Sequence, residues 1–456
     1  MTSLAHLVKA YDVRGPAPDE LGPREVAALA QAFAELVAPD PAAAVVVGRD
    51  MRGTSRMLAE AAAAGITAAG LDVVEIGLAS TDQLYFASGS LDLPGIMVTA
   101  SHNPGAHNGL KLCRAGARPV GRDTGLDAVR VRAEALLDAP GHPATTGRVT
   151  RRDVLAEYGH RLRALVPVTG RRLTVVVDAG NGMAGHTVPA VMGPLDLDVV
   201  PLYFTLDGSF PHHAANPLDP RTLVDLQATV RATGADLGLA FDGDADRCFV
   251  VDERGEPVTP SAVTALLAVR ALASEPNAAV VHNLICSRAV PEIIREHGGR
   301  PIRTPVGHSL IKAEMARSGA AVGGEHSGHY YFRDFWFADS GLLAALHVLD
   351  ALAGSAEAVP LSVLLAPYQR YAGSGEVNFV VRDPTAVVEV VRSRYTDDPA
   401  VVVDALDGLT VSSARWWLNL RTSNTEPLLR LNVEGADEAV MRAVRDETMS
   451  MIRTVA

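Results

Sequence analysis

Residues 237–251 read LGLAFDGDADRCFVV, and this stretch decides how the chain folds. Leu237 to Phe241 is an apolar run of strand length, and the turn formers Asp242 and Gly243 end it. Cys248 to Val251 predicts a second strand directly after the acidic turn. Because α/β proteins bind ligands at the ends of strands, the stretch predicts both a sheet and a site.

The same order of strand, glycine-containing turn and helix recurs on both sides of this stretch. Ala44 to Val47 and Leu173 to Val177 are apolar runs, each closed by such a turn. Ala279 to Leu284 is another, and a predicted helix over Ala289 to Glu296 follows it. Strands that alternate with helices predict layered α/β units.

The segment from about Gly373 has a different pattern. A helix is predicted near Val387 to Tyr395, and a second helix closes the chain. The strands predicted in this segment are NFVV at 378–381, a strand around Val401, Trp416 to Leu420, and Leu428 to Val433. This order predicts a separate α+β domain with a largely antiparallel sheet.

The length of 456 residues predicts three or four domains. We expect the boundaries to divide the chain into residues 1–145, 146–253, 254–368 and 369–456. The first linker is predicted in the Pro/Gly/Thr-rich stretch APGHPATTG at 139–147, which has little periodicity.

The composition argues against several classes of function. Lys and Arg total 41 against 53 Asp and Glu, and the resulting net charge of -12 repels nucleic-acid phosphates. We therefore expect no nucleic-acid partner, although converging basic residues could still bind a small phosphorylated ligand. Hydrophobic residues make up 48% of the chain and aromatic residues only 5%, which predicts a core of Ala, Val and Leu.

The cysteines and the N-terminus bear on the cellular compartment. Cys113, Cys248 and Cys286 are far apart and form no C-x-x-C pair, which argues against a zinc site or a disulfide framework. The N-terminal apolar run is too short for a signal peptide, and no stretch approaches the ~18 apolar residues that span a bilayer. We expect a cytoplasmic protein with no membrane partner.

Three carboxylates follow the central strand. Asp242, Asp244 and Asp246 would repel one another unless a divalent cation lies between them, and oxygen ligands favour Mg²⁺ or Ca²⁺. An EF-hand is one alternative because Glu253 falls at the twelfth position, but Arg247 stands where that loop requires glycine. A solvated acidic turn is another alternative, since Asp and Gly commonly form turns.

Ser101 lies in a turn after the predicted strand Ile96 to Thr99, with Asn103 and Pro104 behind it. Its hydroxyl could project from the edge of the sheet. Read alone, such a serine is more often a cap or a turn hydrogen-bonder. It lacks the G-x-S-x-G context of a hydrolase nucleophile.

Two further polar turns follow predicted strands. Residues 421–425, RTSNT, combine a guanidinium, three hydroxyls and an amide, which suit phosphate oxygens; the alternative is a polar hairpin. Residues 324–329, GEHSGH, offer a carboxylate, a hydroxyl and imidazoles for sugar hydroxyls; the alternative is a zinc site.

Five clusters in a fixed order resemble the α-D-phosphohexomutase family over nearly the whole chain. The clusters are YDVRG at 11–15, TASHNP at 99–104, DGDADR at 242–247, GEHSGH at 324–329 and RTSNTEP at 421–427. Residues 324–341, GEHSGHYYFRDFWFADSG, are most similar to the bacterial phosphomannomutases within that family. Five ordered motifs are far more specific than any one of them.

The resemblance implies a fold of three similar α/β mixed-sheet domains and a C-terminal α+β domain like the TATA-box-binding protein, around a central cleft. It also implies an isomerase that interconverts mannose 6-phosphate and mannose 1-phosphate. The reaction would pass through a phosphoserine enzyme and a hexose 1,6-bisphosphate, which also serves as activator. We expect a monomer or a weak homodimer.

The resemblance also implies roles for individual residues. Ser101 would be the phosphoserine, and Arg247 would steady it. The Mg²⁺ ligands would be a phosphoryl oxygen of Ser101 and the carboxylates of Asp242, Asp244 and Asp246. The residues that contact sugar hydroxyls would be Glu325, Ser327 and His329. The residues that hold the phosphate not being transferred would be Arg421, Ser423, Asn424 and Thr425.

The general acid/base stays open at this point. Its candidates are Lys111, His308, His329 and Arg14, and each must reach the reacting oxygen. His102, beside the serine, is a further catalytic candidate.

One position departs from certain bifunctional members of the family. Ile285 stands before Cys286, Ser287 and Arg288, where those members carry a lysine. This departure puts dual-substrate specificity in doubt, although Arg288 could do similar work. The alternative activities are a phosphoglucomutase, a bifunctional phosphomannomutase/phosphoglucomutase, a phosphoglucosamine mutase, a phosphatase and a non-catalytic sugar-phosphate sensor. The sensor is disfavoured because the groups needed for phosphoryl transfer are all present.

Overall fold

The computed structural model describes residues 3–37, 44–139, 147–355, 358–396, 398–422 and 428–455. Within these ranges the chain forms four sheets that follow one another along the sequence. Residues 140–146 of the predicted linker lie outside the described residues, as do Ser423, Asn424 and Thr425.

The first domain is built on a mixed sheet. Its elements are β1 (Val13–Pro16), α1 (Pro23–Val37), β2 (Ala44–Arg49), α2 (Ser55–Ala68), β3 (Asp72–Leu78), α3 (Thr81–Leu91), β4 (Gly95–Val98), β5 (His107–Arg114), β6 (Arg118–Pro119), α4 (Leu126–Asp138) and β7 (Val149–Arg151). The strand order is β1-β5-β4-β2-β3-β7, with β6 paired to β5. β5 runs antiparallel to β1 and β4, whereas β4, β2, β3 and β7 are parallel.

The second domain contains the acidic turn and the two strands predicted on either side of it. Its elements are α5 (Leu155–Leu165), β8 (Leu173–Asp178), α6 (Ala184–Met192), β9 (Leu197–Leu202), α7 (Val224–Thr233), β10 (Leu237–Phe241), β11 (Cys248–Asp252) and β12 (Pro257–Val258). The strand order is β12-β11-β10-β8-β9. β8 pairs in parallel with β9 and β10, and β10 pairs antiparallel with β11 so that Phe241 faces Cys248 across the acidic turn.

The third domain repeats this arrangement. Its elements are α8 (Pro260–Ser274), β13 (Ala279–Asn283), α9 (Ala289–Glu296), β14 (Arg300–Thr304), α10 (His308–Ser318), β15 (Val322–Gly324), β16 (Tyr330–Phe332), β17 (Ala338–Asp339), α11 (Gly341–Ala353) and α12 (Leu361–Leu365). The strand order is β14-β13-β15-β16-β17. The first three of these strands are parallel, and β16 and β17 add an antiparallel edge.

The fourth domain has a different sheet. Its elements are β18 (Ala372–Phe379), α13 (Pro384–Tyr395), β19 (Val401–Asp404), β20 (Leu409–Ser413), β21 (Trp416–Thr422), β22 (Leu429–Gly435) and α14 (Glu438–Val455). Every pair in the order β18-β22-β21-β20-β19 is antiparallel. The predicted fold class, three mixed-sheet α/β domains and a C-terminal α+β domain, is confirmed.

The cores follow the composition. Val175 and Leu239 on the central strands of the second sheet are fully buried, and each such side chain stabilises the fold by about 1.5–3 kcal/mol. One apolar cluster continues through the first three domains, whereas the fourth domain has a cluster of its own. Among the described residues, no helix is long and apolar enough to cross a membrane.

Candidate active site

Loops from all four domains line one cleft with a cavity of about 610 Å³. The predicted site residues on its wall are Arg14, Ser101, His102, Lys111, Arg247, His308, Glu325, Ser327, His329 and Arg421. The three aspartates of the acidic turn are buried, each at most 1% exposed. The described candidates from all four domains therefore meet at one place.

Ser101 lies on the turn that follows β4, in a left-handed backbone conformation with φ of 52°. Its Oγ donates to Oδ2 of Asp242 at 2.7 Å and lies 3.4 Å from Nη2 of Arg247. Nδ1 of His102 is 3.3 Å from the same Oγ. A non-glycine residue held at positive φ is strained, and such strain is concentrated at functional sites.

Arg52 holds the loop around Ser101, a role that was not predicted from the sequence. It is 2% exposed, is paired with Asp50, and donates to the backbone carbonyls of four loop residues. Those carbonyls belong to Ser101 at 2.8 Å, Asn103 at 2.7 Å, Pro104 at 2.7 Å and His107 at 3.0 Å. One planar guanidinium thus fixes the turn through its fork of donors. The available sequence signal was a polar RDMRG segment, residues 49–53, directly after a strand.

The three aspartates of the acidic turn form a group that could hold a metal ion. Carboxylate oxygens of Asp242, Asp244 and Asp246 lie within 4.8 Å of one another. Nζ of Lys111 donates to Oδ2 of Asp244 at 2.7 Å and to Oδ2 of Asp246. No described residue donates a hydrogen bond to Oδ1 of Asp244 or Oδ1 of Asp246. These two buried Oδ1 atoms fit a divalent cation that prefers oxygen ligands, and Nε2 of His329 also lies 3.5 Å from Oδ1 of Asp246.

Burial and neighbouring charges shift the pKa values of two of the three aspartates, Asp242 and Asp246. Burial raises the pKa of Asp242 to about 6, although the guanidinium of Arg247 opposes this rise. Burial would also raise the pKa of Asp246, but Lys111 and His329 outweigh it and hold that pKa well below its usual range. Three buried carboxylates are costly without compensating positive charge, which Lys111 and Arg247 supply in part.

The GEHSGH loop is joined to the acidic turn through its backbone. Arg247 and His329 form an antiparallel bridge, and the N–H of Cys248 donates to the carbonyl of Gly328 at 3.1 Å. The backbone φ of Gly328 is 82°, a conformation that residues with a side chain rarely adopt. The acidic turn and the GEHSGH loop are therefore fixed relative to each other.

Within this loop, Glu325 is 2% exposed and accepts hydrogen bonds through both carboxylate oxygens. Tyr331 donates its hydroxyl to Oε1 at 2.6 Å, and Ser327 donates to Oε2 at 3.2 Å. Ser327 also lies 2.9 Å from Nδ1 of His329, whose Nε2 is 3.5 Å from Oδ1 of Asp246. Burial alone would lower the pKa of His329, but the negative charge of Asp246 outweighs burial, and the net result is a raised pKa.

The remaining acid/base candidates, Arg14 and His308, are also in the cleft. Arg14 contacts Asp12 at 2.7 Å and donates to Oδ1 of Asn103 at 2.6 Å. The ring of His308 lies 6.5 Å from the ring of His329, centroid to centroid. Burial, together with the charge of Lys312, lowers the pKa of His308 well below its usual range.

The fourth domain contributes Arg421 and two residues that were not predicted from the sequence, Glu376 and Arg430. Oε2 of Glu376 lies 3.7 Å from Nη2 of Arg421 and 3.7 Å from Nε2 of His326. Its Oε1 lies 3.2 Å from Nη1 of Arg430. Burial would raise the pKa of Glu376, but His326, Arg430 and Arg421 outweigh it and lower the pKa to about 2. One carboxylate therefore lies close to two guanidinium groups and an imidazole at the cleft wall.

Ile285, the position that departs from certain family members, is buried. It packs with Leu284 and Trp417, so it joins the third domain to the fourth through apolar contact. The neighbouring Arg288 donates to the backbone carbonyls of Ser413 and Ala414. Arg288 is thus engaged with the fourth domain, and it is not among the described residues that line the cavity.

Models of a known family match the four parts of the chain in order. The phosphoglucomutase/phosphomannomutase alpha/beta/alpha domains I, II and III match residues 5–135, 156–255 and 259–371. The C-terminal domain of the same family matches residues 376–451.

Relatives and solved structures agree with these matches. A phosphomannomutase of Escherichia coli is 38% identical over 455 residues, covering 98% of each chain. The protein named phosphohexose mutases of Xanthomonas campestris pv. campestris is 39% identical over 443 residues, covering 97% of this chain and 98% of the relative. A phosphoglucomutase/phosphomannomutase family protein of Burkholderia thailandensis has a TM-score of 0.89 at 33% identity, covering 100% of this chain and 98% of that one.

The fold and the cleft thus define a four-domain sugar-phosphate mutase. The chain belongs to the phosphoglucomutase/phosphomannomutase family.

Proposed function

We propose that the chain is a phosphomannomutase that interconverts mannose 6-phosphate and mannose 1-phosphate through a phosphorylated Ser101. The observation that carries the proposal is the placement of Ser101 Oγ, 2.7 Å from Asp242 and 3.4 Å from Arg247 on the cleft wall. The relatives that match over nearly the full chain and are named phosphomannomutase support the sugar assignment.

The reaction balances as an isomerisation. A free hydroxyl of the substrate attacks the phosphorus on Ser101, the bond from phosphorus to Oγ breaks, the hydroxyl proton passes to a base, and the leaving Oγ takes up a proton to become the serine hydroxyl. The resulting hexose 1,6-bisphosphate reorients in the cleft, and Ser101 Oγ attacks its other phosphorus. The bond from that phosphorus to the sugar oxygen breaks, Oγ gives up its proton, and the sugar oxygen takes up a proton. No phosphate is consumed over the cycle. Added hexose 1,6-bisphosphate can also phosphorylate Ser101 in enzyme that has lost its phosphoryl group, and so reactivate it.

Mg²⁺ is the proposed metal, held by Asp242, Asp244 and Asp246 with a phosphoryl oxygen of Ser101. When bound, it would supply positive charge to the phosphoryl oxygens. Arg247 adds a guanidinium at Ser101 Oγ, and Lys111 balances the carboxylates from the other side. In-line positioning and charge neutralisation are the main demands of phosphoryl transfer.

The acid/base role falls to His329. Lys111 is engaged by two carboxylates, and the guanidinium of Arg14 remains protonated in proteins. His329 is oriented on one side by Ser327 and on the other by Asp246, an arrangement that fixes an imidazole for proton transfer. His308 lies next to it and is the second candidate, whereas His102 supports the serine that it contacts.

The substrate is held by the third and fourth domains. Glu325 and Ser327, with His329, contact the sugar hydroxyls in this proposal. Arg421 binds the phosphate that is not transferred, together with Ser423, Asn424 and Thr425, which follow it in the sequence. Arg430, which shares Glu376 with Arg421, extends the positive wall of that subsite.

The cysteines and the net charge support proposals about the cellular compartment and the partners of the enzyme. The described cysteines Cys113, Cys248 and Cys286 are buried and free, which supports a reducing compartment such as the cytoplasm. The net charge of -12 supports a small-molecule partner rather than nucleic acid. A monomer or a weak homodimer is proposed.

The test is a comparison of kcat/KM for mannose 1-phosphate and glucose 1-phosphate, with Mg²⁺ and a trace of hexose 1,6-bisphosphate. We expect the mannose substrate to be turned over at least as efficiently as glucose. A strong preference for glucose 1-phosphate would show a phosphoglucomutase instead, and steady release of inorganic phosphate would show a phosphatase.

A further inference from the structure

Helix α3 begins against the backbone and side chain of Asp244, a residue of the acidic turn. Thr81, its first residue, donates its hydroxyl to Oδ2 of Asp244 at 2.6 Å. The N–H of Thr81 donates to the backbone carbonyl of Asp244 at 3.0 Å. Both residues are 0% exposed, and they come from different domains. The contact is therefore a buried bridge from the first domain to the acidic turn of the second.

The two oxygens of Asp244 are treated differently by their surroundings. Oδ2 receives hydrogen bonds from Thr81 at 2.6 Å and from Lys111 at 2.7 Å. Oδ1 receives none from the residues that the structure describes. Because both donors hold the same oxygen, the carboxylate plane is fixed and its other oxygen is left for a cation. Lys111 can change partner on a long flexible stem, whereas the threonine hydroxyl sits on a helix end.

The start of α3 is itself held by three domains. The next residue, Asp82, accepts a hydrogen bond from Tyr158 at 2.7 Å and one from Ser340 at 2.6 Å. Tyr158 belongs to α5 of the second domain, and Ser340 caps α11 of the third domain. Asp82 is 0% exposed, so these bonds are shielded from water. These contacts of Asp82 hold the start of α3, and with it Thr81, without involving the acidic turn.

We propose that Thr81 is a positioning residue for the metal centre, whose hydroxyl orients Asp244 so that Oδ1 faces the divalent cation. The proposal rests on the metal site of the proposed function. Residues behind metal ligands orient those ligands, and their loss weakens metal affinity by about 10- to 100-fold. Thr81 is not among the described residues that line the cavity, so its effect is expected on metal affinity rather than on turnover with saturating metal.

The experiment measures Mn²⁺ binding by electron paramagnetic resonance of the free ion, with Mg²⁺ as competitor. Thr81→Val removes the hydroxyl and keeps the shape, Thr81→Ala removes it without risk of a clash, and Thr81→Ser retains it. We expect the Kd of both hydroxyl-free variants to rise about 10-fold or more. Thr81→Ser should stay within about threefold of the parent protein. The melting temperature of each variant without metal reports whether the fold is kept, and Thr81→Ala stands in if Thr81→Val does not fold.

The outcomes separate the two proposals. Unchanged affinity in folded Thr81→Val or Thr81→Ala would overturn the role of Thr81 while leaving the metal site intact. Asp244→Asn is the matched control and should lose Mn²⁺ binding altogether. If the parent protein binds no Mn²⁺ or Mg²⁺, the metal site of the proposed function fails, and the role of Thr81 fails with it.

Discussion

Ser101 donates a hydrogen bond from Oγ to Oδ2 of Asp242 over 2.7 Å, although 141 positions separate the two residues in the sequence. The serine comes from the first domain and the aspartate from the second. The proposed nucleophile and the proposed metal ligand are therefore brought together only when both domains fold and dock. Changes that disturb either loop should affect chemistry through this contact.

Arg52→Lys tests how the serine loop is held. Lysine keeps the charge but lacks the planar fork, so it cannot serve the four carbonyls that Arg52 reaches. We expect kcat to fall by about 100-fold because the serine loop shifts, and the protein to be destabilised by about 3 kcal/mol because several of these carbonyls lose their donor. Steady-state kinetics and thermal melts measure the two effects. An enzyme with parental kcat would show that Arg52 does not hold the loop for catalysis.

Asp82→Asn tests the pH dependence of the junction between three domains. Burial raises the pKa of Asp82 to about 7, although the hydroxyls of Ser340, Ser80 and Tyr158 oppose this rise. The folded pKa is higher than the unfolded one, so the folded state holds the proton more tightly. This contribution to stability is present below pH ~4 and is lost as the pH rises through about 7. Its full size is of the order of 4 kcal/mol, because each tenfold change in proton affinity corresponds to about 1.4 kcal/mol.

The parent protein should therefore lose more melting temperature between pH 5.5 and pH 8.5 than Asp82→Asn does. Differential scanning calorimetry at both pH values measures this difference. Asp446→Asn is the matched control, because the Asp446 side chain is 62% exposed. Equal pH slopes for the parent protein and Asp82→Asn would contradict the burial argument.

Arg430→Gln tests the positive wall of the fourth domain. Among the described residues, loss of the guanidinium leaves Glu376 with the guanidinium of Arg421 and the imidazole of His326 beside it, and it removes a cation from the proposed phosphate subsite. A charge-assisted hydrogen bond contributes roughly 1.5–3 kcal/mol, so we expect KM for mannose 1-phosphate to rise about 10-fold or more. Arg415→Gln, which changes a side chain 65% exposed on the same domain, should leave KM unchanged. Equal KM values for the two variants would remove Arg430 from the subsite.

His329→Gln tests the assignment of the acid/base. A positioned base contributes about 10² to 10⁴ to the rate, so kcat should fall by that factor while KM changes little. His308→Gln is the comparison, since the two rings lie 6.5 Å apart but only His329 is oriented by Ser327 and Asp246. Rapid-quench measurement of the first turnover checks that the loss lies in the chemical step. A larger loss in His308→Gln would exchange the two roles.

Local features of the sequence predicted the layered domains and most of the site. Apolar runs closed by polar turns are short-range signals, so the loops that carry Ser101, the three aspartates and Glu325 could be recognised from the order of residues. The antiparallel sheet of the last domain followed from the same reasoning. Identification of these loops as one site depended on the family resemblance, since the separate turns have common structural roles.

The residues that were missed depend on contacts far apart in the sequence. Arg52 acts through backbone carbonyls about 50 positions away, and Thr81 contacts a residue 163 positions away. Glu376 and Arg430 lie on neighbouring strands, where a charged residue is ordinarily read as solvent-exposed. The sequence showed only that Ile285 stands where certain family members carry a lysine. Its apolar packing against Trp417 depends on how the third and fourth domains contact each other.

The central claim is that Ser101 carries the phosphoryl group, and peptide mapping by mass spectrometry tests it most directly. The protein is incubated with hexose 1,6-bisphosphate and Mg²⁺, digested, and compared with Ser101→Ala treated in the same way. In the parent protein we predict one phosphate on the peptide that contains Ser101. In Ser101→Ala we predict that this peptide carries no phosphate and that mutase activity is lost. Phosphate on any other residue, or a Ser101→Ala enzyme that keeps more than a few per cent of its activity, would contradict the account.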